Sequence, residues 1–187
     1  MLQNPGGLTN PEKILLQIGL KEGITVADFG CGHGYFTIPA GKMIGKEGKI
    51  YAVDVLAECL EAVHSSARLE GVINVLTMRG NLEVLGGSGI KDEIVDLVLL
   101  HNILFQSQKK ADIMKESGRV LKSGGNLVVI DWLPLLDATG ESTVFGPQGG
   151  WRLSVEEAKK IAREEGLTFS RSLDAGEYQY GLVFVKP

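Results

Sequence analysis

The sequence predicts an α/β fold, a doubly wound parallel sheet with helices on both faces. Three observations carry this. Short apolar runs alternate with helix-period segments through most of the chain. The runs in the middle, "GITVADFG" (23–30) and "EIVDLVLL" (93–100), are almost wholly apolar, as strands covered on both faces are. The first of them ends in three glycines at alternate positions, Gly30, Gly32 and Gly34, where a strand would turn into a helix.

The elements follow in order. "NPEKILLQIGL" (10–20) reads as a helix, with Asn10 as its cap and Pro11 at its first position, where a missing N–H costs nothing. After the first strand, "YFTIPAGKMIG" (35–45) is a helix, with Pro39 close enough to its start to be tolerated. "KIYAVDV" (49–55) is the second strand. Leu56, Cys59, Leu60, Val63 and Ala67 then recur at helical spacing and give one apolar face. "NVLTMRG" (74–80) is the third strand and "EIVDLVLL" the fourth.

"SQKKADIMKESGRVLKSGG" (107–125) reads as a helix ending at Gly124 and Gly125, before a fifth strand, "NLVVIDW" (126–132). Residues 132–153 are irregular and rich in Gly and Pro. Ser154 and Glu157 fit a capping box that opens a helix with Val155, Ala158 and Ile161 inward. "LTFSRSLDA" (167–175) and "YQYGLVFVKP" (178–187) pair as the last two strands.

Composition sets outer limits. A chain of 187 residues, 44% hydrophobic and 22% charged, fits one domain over residues 1–187. No apolar run approaches the roughly 20 residues that span a bilayer. "MLQNPGGLTN" does not read as a secretory signal, and two cysteines, Cys31 and Cys59, are no disulfide framework. A cytoplasmic location is the expectation. A net charge of -4 with no Lys/Arg cluster speaks against nucleic acid as partner. The oligomeric state is left open.

In a doubly wound sheet, ligands bind at the carboxyl ends of the strands, where strand order reverses. Glycine there lets main chain approach the ligand, and the next helix offers free N–H groups. Asp54 ends the second strand, where a carboxylate can take both hydroxyls of a ribose. The ligand is therefore expected to contain a nucleoside. The dinucleotide fingerprint fails, because the position three beyond Gly32 is Tyr35. Asp28 beside the loop would repel a pyrophosphate and favour a ligand with an ammonium group. A nicotinamide-dependent oxidoreductase is weakened on both counts.

"VADFGCGHG" (26–34) resembles motif I of the class I S-adenosylmethionine-dependent methyltransferases. "YAVDV", "RGNLE", "VDLVLLHNIL" and "RVLKSGGNLVVIDW" match the later landmarks in order over roughly residues 10–187. The resemblance points to the type 11 branch that includes ubiquinone/menaquinone C-methyltransferases. It implies a Rossmann-like sheet of seven strands in the order 3-2-1-4-5-7-6, the last antiparallel. It implies S-adenosyl-L-methionine as cofactor and a small-molecule methyl acceptor as partner.

Roles follow by position. Asp28 and the backbone of Gly30, Cys31 and Gly32 would hold the methionine part. Asp54 would take the ribose and Val55 pack on the adenine. Asn81, with the backbone at Leu82, would read the adenine edge. Asn81 stands where the family often has Asp, and its carbonyl can still accept from the adenine amino group. His33 occupies a loop position that often touches the cofactor. His101, leaving the fourth strand, would lie near the methionine amino group or the sulfonium, and is the first candidate for a general base if the acceptor is protonated at attack.

Other residues have structural readings. His64 falls on the polar side of its helix, Cys59 in an apolar stripe, and Asp96 braces a neighbouring loop. Asp131 and Trp132 either face the cleft or pack under it. Tyr178 and Tyr180 alternate with apolar residues as on a strand face. His101-Asn102-Ile103-Leu104 replaces the Asn/Asp-Pro-Pro-Tyr motif that goes with amide and base methylation. Two cysteines do not make the set of thiolates that arsenite requires. The rival from another class is an S-adenosylmethionine-binding protein without transferase activity, a sensor or scaffold. Residues 1–10 and 133–153 are expected near the cleft, the second as a lid.

Overall fold

The computed structural model describes residues 9–134, 146–147 and 151–187. The expected lid falls mostly on residues 135–145 and 148–150, outside the described residues. Among the described residues, five α-helices, α1 Pro11–Ile18, α2 Thr37–Ile44, α3 Ala57–Leu69, α4 Lys110–Val120 and α5 Val155–Glu164, surround a seven-stranded sheet. Its strands are β1 Thr25–Phe29, β2 Lys49–Asp54, β3 Val75–Arg79, β4 Val95–His101, β5 Leu121–Trp132, β6 Thr168–Leu173 and β7 Gln179–Val185. They run in the order β3-β2-β1-β4-β5-β7-β6, and β7 is antiparallel to both β5 and β6. This is the expected topology.

Each face of the sheet carries its own apolar layer. Ile14 and Leu15 of α1 and Phe36, Ala40 and Ile44 around α2 pack with Val26, Leu97, Leu99 and Ile130 on one side. Ile113 and Met114 of α4 and Ala158 and Ala162 of α5 pack with Ala27, Val98, Val129 and Phe184 on the other. The helix starts read from the sequence hold. Asn10 Oδ1 accepts the Lys13 N–H at 3.1 Å, and Ser154 Oγ accepts the Glu157 N–H at 3.2 Å. Asp96, read as bracing a neighbouring loop, holds the first residue of β1 instead, accepting the Thr25 N–H at 2.8 Å.

One boundary is corrected. The helix expected to run to Gly124 and Gly125 ends at Val120, and β5 begins at once with Leu121. The chain leaves the helix early because other main chain satisfies it. Ile94 donates to the Val120 carbonyl at 3.0 Å, Leu121 pairs with Val95, and Gly124 and Gly125 exchange bonds with Lys186. Leu121 is fully buried. The glycines turn the chain inside the ladder rather than end a helix, Gly124 at φ +77°.

Candidate active site

Strand order reverses between β1 and β4, so the loops after these strands diverge and leave a crevice at their carboxyl ends. The β1 loop is pinned to the end of β2. Gly30 and Cys31 both donate to the Val53 carbonyl, at 2.8 and 3.1 Å. Gly30 has φ +71°, and a Cβ there would lie 2.5 Å from Ile103 Cδ1 of the β4 loop. Gly32 has φ +49° with open space where a Cβ would be, so its main chain faces the crevice unshielded. Asp54 ties the two loops together. Its Oδ2 accepts the Gly32 N–H at 3.0 Å and its Oδ1 accepts the Leu56 N–H at 3.0 Å.

The crevice is a cleft of about 740 Å³. Gly30, Cys31, Gly32 and His33 line it from the β1 loop, Asp54 and Val55 from the end of β2, Asn81 and Leu82 from the segment after β3, and His101 from the end of β4. The fold thus brings together nine of the ten residues singled out in the sequence.

Asp28 is the tenth, and it stands apart. It is 2% exposed and does not line the cleft. Its Oδ2 accepts the Thr37 hydroxyl at 2.5 Å, at the first residue of α2. Desolvation, opposed by the Thr37 bond, lifts its carboxyl to about 6. Period two explains the position: Asp28 shares a face with Val26, beneath the loop.

Asn81 lines the cleft, but its carbonyl oxygen is already in use. Oδ1 accepts the Glu83 N–H at 3.0 Å, closing a local turn. The loop it opens is anchored by a buried carboxylate on α4. Glu116 accepts from Gly86 N at 2.7 Å, Ser88 N at 3.1 Å, Ser88 Oγ at 2.5 Å and Arg119 Nη2 at 2.6 Å. Those bonds hold its pKa below the ordinary value against desolvation. No local sequence signal marks Glu116, because its partners lie about thirty positions earlier.

His101 is held by rings. Phe36 lies 4.7 Å and Tyr35 5.8 Å from it, centroid to centroid, the Tyr35 ring inclined by only 27°. Burial pulls its pKa down to about 4. Burial thus disfavours the imidazolium and keeps the ring neutral, the form in which it can accept a hydrogen bond. Nε2 meets the Asn102 carboxamide at 3.1 Å.

The sequence did not single out several residues that complete the cleft. Tyr35, Glu83, Asn102, Ile103, Gln106 and Ser107 all line it. Glu83 Oε1 accepts the Ser107 hydroxyl at 2.6 Å and joins the β3 and β4 loops across the cleft. The φ of +55° at Asn102, a residue type that tolerates left-handed backbone, marks the sharp exit from β4. Cys31 and Cys59 are both buried at the cleft wall, and desolvation raises the Cys31 thiol far above its ordinary value, with Asp28 and Asp54 adding to it. Asp131 and Tyr180 are buried, as is Trp132 with 8% exposure, and His64 is exposed. Among the described residues no metal-binding cluster occurs, and no helix is long and apolar enough to cross a membrane.

Comparison with known proteins agrees with this geometry. Residues 20–148 match the family described as "Methyltransferase domain". A crystal structure of a SAM-dependent methyltransferase from Aquifex aeolicus superposes with a TM-score of 0.85 at 28% identity, over 96% of this chain and 91% of that one. The arsenite methyltransferase of Aquipseudomonas alcaligenes is 27% identical over 86% of this chain and 49% of its own length. The demethylmenaquinone methyltransferase of Geobacillus stearothermophilus is 26% identical over 71% of this chain and 53% of its own. The chain spans about half the length of the curated relatives it matches.

The family's cofactor is S-adenosylmethionine, and the cleft fits it. Asp54 keeps acceptor capacity beyond its two main-chain bonds, as a ribose diol requires. Val55 and Leu56 are about half exposed beside it, apolar surface for an adenine, and Gly32, whose N–H is held by Asp54, leaves the space of a side chain open for the methionine end. Matched over more than half its length and folded in the family's strand order, the chain belongs to the class I S-adenosylmethionine-dependent methyltransferases of the type 11 kind.

Proposed function

We propose that the protein methylates an uncharged small molecule, with S-adenosylmethionine as donor. The observation that carries this is the charge of the cleft. Asp54 and Glu83 line it, and no Lys or Arg does among the described residues. Segments 1–8 and 135–150 contain no Lys or Arg either. A carboxylate or phosphate on the acceptor would enter a cleft lined by two acids and no basic side chain, with the cofactor's sulfonium as its counter-charge, which disfavours it against a neutral molecule. A demethylmenaquinone-like quinol is neutral and matches this cleft in charge. Arsenite fits less well, since Cys31 and Cys59 are the chain's only thiols and both are buried.

Bound S-adenosylmethionine supplies a methyl group activated on a sulfonium, ready for in-line transfer. The protein's part is to hold and orient. Asp54 takes the ribose, Val55 and Leu82 flank the adenine, and the main chain of Gly30–Gly32 carries the methionine end. His33 lines that end from the loop, and Asn81 offers its carboxamide N–H groups and one remaining lone pair to the adenine edge. Asp28 acts from behind, through Thr37, by fixing where α2 starts. His101, Tyr35 and Asn102 orient the acceptor at the other end. Orientation of this sort contributes roughly 7–11 kcal/mol to a bimolecular step.

Calorimetry with S-adenosylhomocysteine and NAD, followed by tritiated-methyl transfer to a panel of neutral and anionic phenols and quinols, tests the reading. Binding of S-adenosylhomocysteine and label on neutral acceptors are expected. Tighter binding of NAD would overturn the cofactor assignment. Cofactor binding without methyl consumption across the panel would favour a sensor or scaffold.

A further inference from the structure

A chain of polar side chains runs from His101 away from the cleft into the fold. Nε2 of His101 is 3.1 Å from the Asn102 carboxamide, which meets the Gln179 carboxamide at 2.6 Å. The far end of Gln179 meets the Thr9 hydroxyl, and that hydroxyl lies 2.7 Å from the Ala175 carbonyl. Thr9 and Gln179 are 3% exposed each. His101, Asn102, Gln179 and Thr9 come from the end of β4, the loop after it, the start of β7, and the segment before α1.

Proton accounting fixes the polarity of this chain. A threonine hydroxyl has one proton and two lone pairs, and a carbonyl can only accept. The Ala175 carbonyl at 2.7 Å therefore takes the Thr9 proton. The Thr9 oxygen is then an acceptor towards Gln179, so Gln179 presents its NH2 to Thr9 and its carbonyl to Asn102. Asn102 in turn presents its NH2 to Gln179 and its carbonyl to His101. The structure has the carboxamides turned the other way, with Gln179 Oε1 on Thr9, Gln179 Nε2 on Asn102 Oδ1 and Asn102 Nδ2 on His101 Nε2, and that arrangement asks the Thr9 hydroxyl for two protons, so both carboxamides are assigned in the opposite sense. The two ends of a carboxamide have nearly the same shape, so hydrogen bonding alone chooses between them. His101 Nε2 meets a carbonyl and must carry the ring proton. Nδ1 is then the bare nitrogen, and it has no protein partner among the described residues.

We infer that Thr9, Gln179 and Asn102 are positioning residues that hold His101 in its Nε2–H tautomer, with Nδ1 as a fixed hydrogen-bond acceptor in the cleft, so that the methyl acceptor enters as a donor, presenting an O–H, N–H or S–H group. This rests on the acceptor end assigned under Proposed function. It narrows the acceptor to neutral protic molecules, phenols and quinols among them. Tyr35 reinforces the arrangement. Its hydroxyl donates to the Thr9 carbonyl at 2.6 Å while its ring covers His101, so the segment before α1 is fastened on both sides of the imidazole.

The test is long-range proton–nitrogen NMR of the intact labelled protein with S-adenosylhomocysteine. The chain has three histidines, and His33→Asn and His64→Asn assign the spectrum. The His101 ring is expected to show Nδ1 at the unprotonated position and Nε2 at the protonated one. Thr9→Val removes the hydroxyl that decides the polarity, and both resonances should move towards averaged values. Gln179→Glu, read at a pH where its carboxylate is ionised, offers only acceptors, still forces the Asn102 carbonyl towards His101, and should keep the wild-type pattern. Phenol should shift the Nδ1 resonance, and anisole, which lacks the donor, should not. A wild-type Nδ1–H tautomer, an unchanged spectrum in Thr9→Val, a switch in Gln179→Glu, or equal responses to phenol and anisole would each overturn the inference. An absent shift of the Gly32 amide on adding S-adenosylhomocysteine would instead overturn the cofactor reading, and the tautomer can still be read in that case.

Discussion

The main-chain N–H of Gly32 donates to Oδ2 of Asp54 at 3.0 Å, so the glycine loop and the end of β2 are one rigid unit. The carboxylate shapes the loop and keeps lone pairs free for a ligand. Asp54→Ala is therefore expected to weaken S-adenosylhomocysteine by about 1.5–3 kcal/mol, the range for hydrogen bonds to a charged group. Calorimetry on the folded variant checks it. An unchanged dissociation constant would mean that the ribose is held elsewhere.

Glu116 does for the β3 loop what Asp54 does for the β1 loop, from further away. It joins Gly86, Ser88 and Arg119 while fully buried. Glu116→Ala leaves Arg119 and two loop N–H groups without their acceptor. Arg119 keeps its ion pair with Asp92, so the loss is that of the unsatisfied loop N–H groups, about 1–3 kcal/mol. Urea unfolding should show that loss, and cofactor affinity should fall with it, because the loop carries Asn81 and Leu82. A destabilised variant that still binds the cofactor as tightly as wild type would contradict the anchoring role.

Acid stability provides a third expectation. His101 has a folded pKa of about 4 against 6.5 unfolded, so the unfolded state takes up the proton first as pH falls. Its contribution to stability is complete above about 6.5 and is lost progressively towards 4. Asp28 and Asp131, both lifted to about 6 from 3.8, act with the opposite sign, since the folded state holds their protons more tightly. The two effects offset each other in wild type. His101→Phe removes one of them, so between pH 6.5 and 4 the variant should gain up to about 3 kcal/mol relative to wild type. Denaturation midpoints measured across that window give the difference directly. A constant difference from pH 7 to 4 would place the imidazole in water.

Neither cysteine should be needed for methyl transfer. Cys31 contributes main-chain bonds to Val53, and Cys59 is a buried side chain of α3. A double change to alanine is expected to bind S-adenosylhomocysteine and turn over as wild type does, with a modest loss of stability from the smaller side chains. Intact cofactor binding with abolished turnover would bring the arsenite reading back.

What the sequence revealed and what it hid divide by range. Gly30, Gly32 and Asp54 were legible because each sits at a strand end, where local pattern fixes both position and role. Asp28 was read as a cleft residue because sequence spacing places it near the loop without saying which face it takes, and its burial depends on α2 lying across it. The end of α4 was misplaced because "LKS" carries no helix breaker, and the bonds that end the helix come from β4 and Lys186. The chain from His101 to Thr9 was invisible for the same reason. Gln179 and Thr9 are 170 positions apart and meet only through the antiparallel seating of β7 beside β5.

Gly30 is the point where backbone and packing constraints coincide, and a double-mutant cycle can separate them. Its φ of +71° disfavours any side chain by roughly 1–2 kcal/mol. A Cβ would also lie 2.5 Å from Ile103 Cδ1, and overpacking of that kind adds about 1–3 kcal/mol. Gly30→Ala should therefore destabilise by more than either effect alone. Ile103→Val deletes the clashing methyl and leaves the backbone as it was. In that background Gly30→Ala should cost about 1 kcal/mol less, and the residue of the penalty is the left-handed strain. If urea unfolding finds the two changes additive, Ile103 already yields to the new methyl, and the glycine is required for its backbone alone.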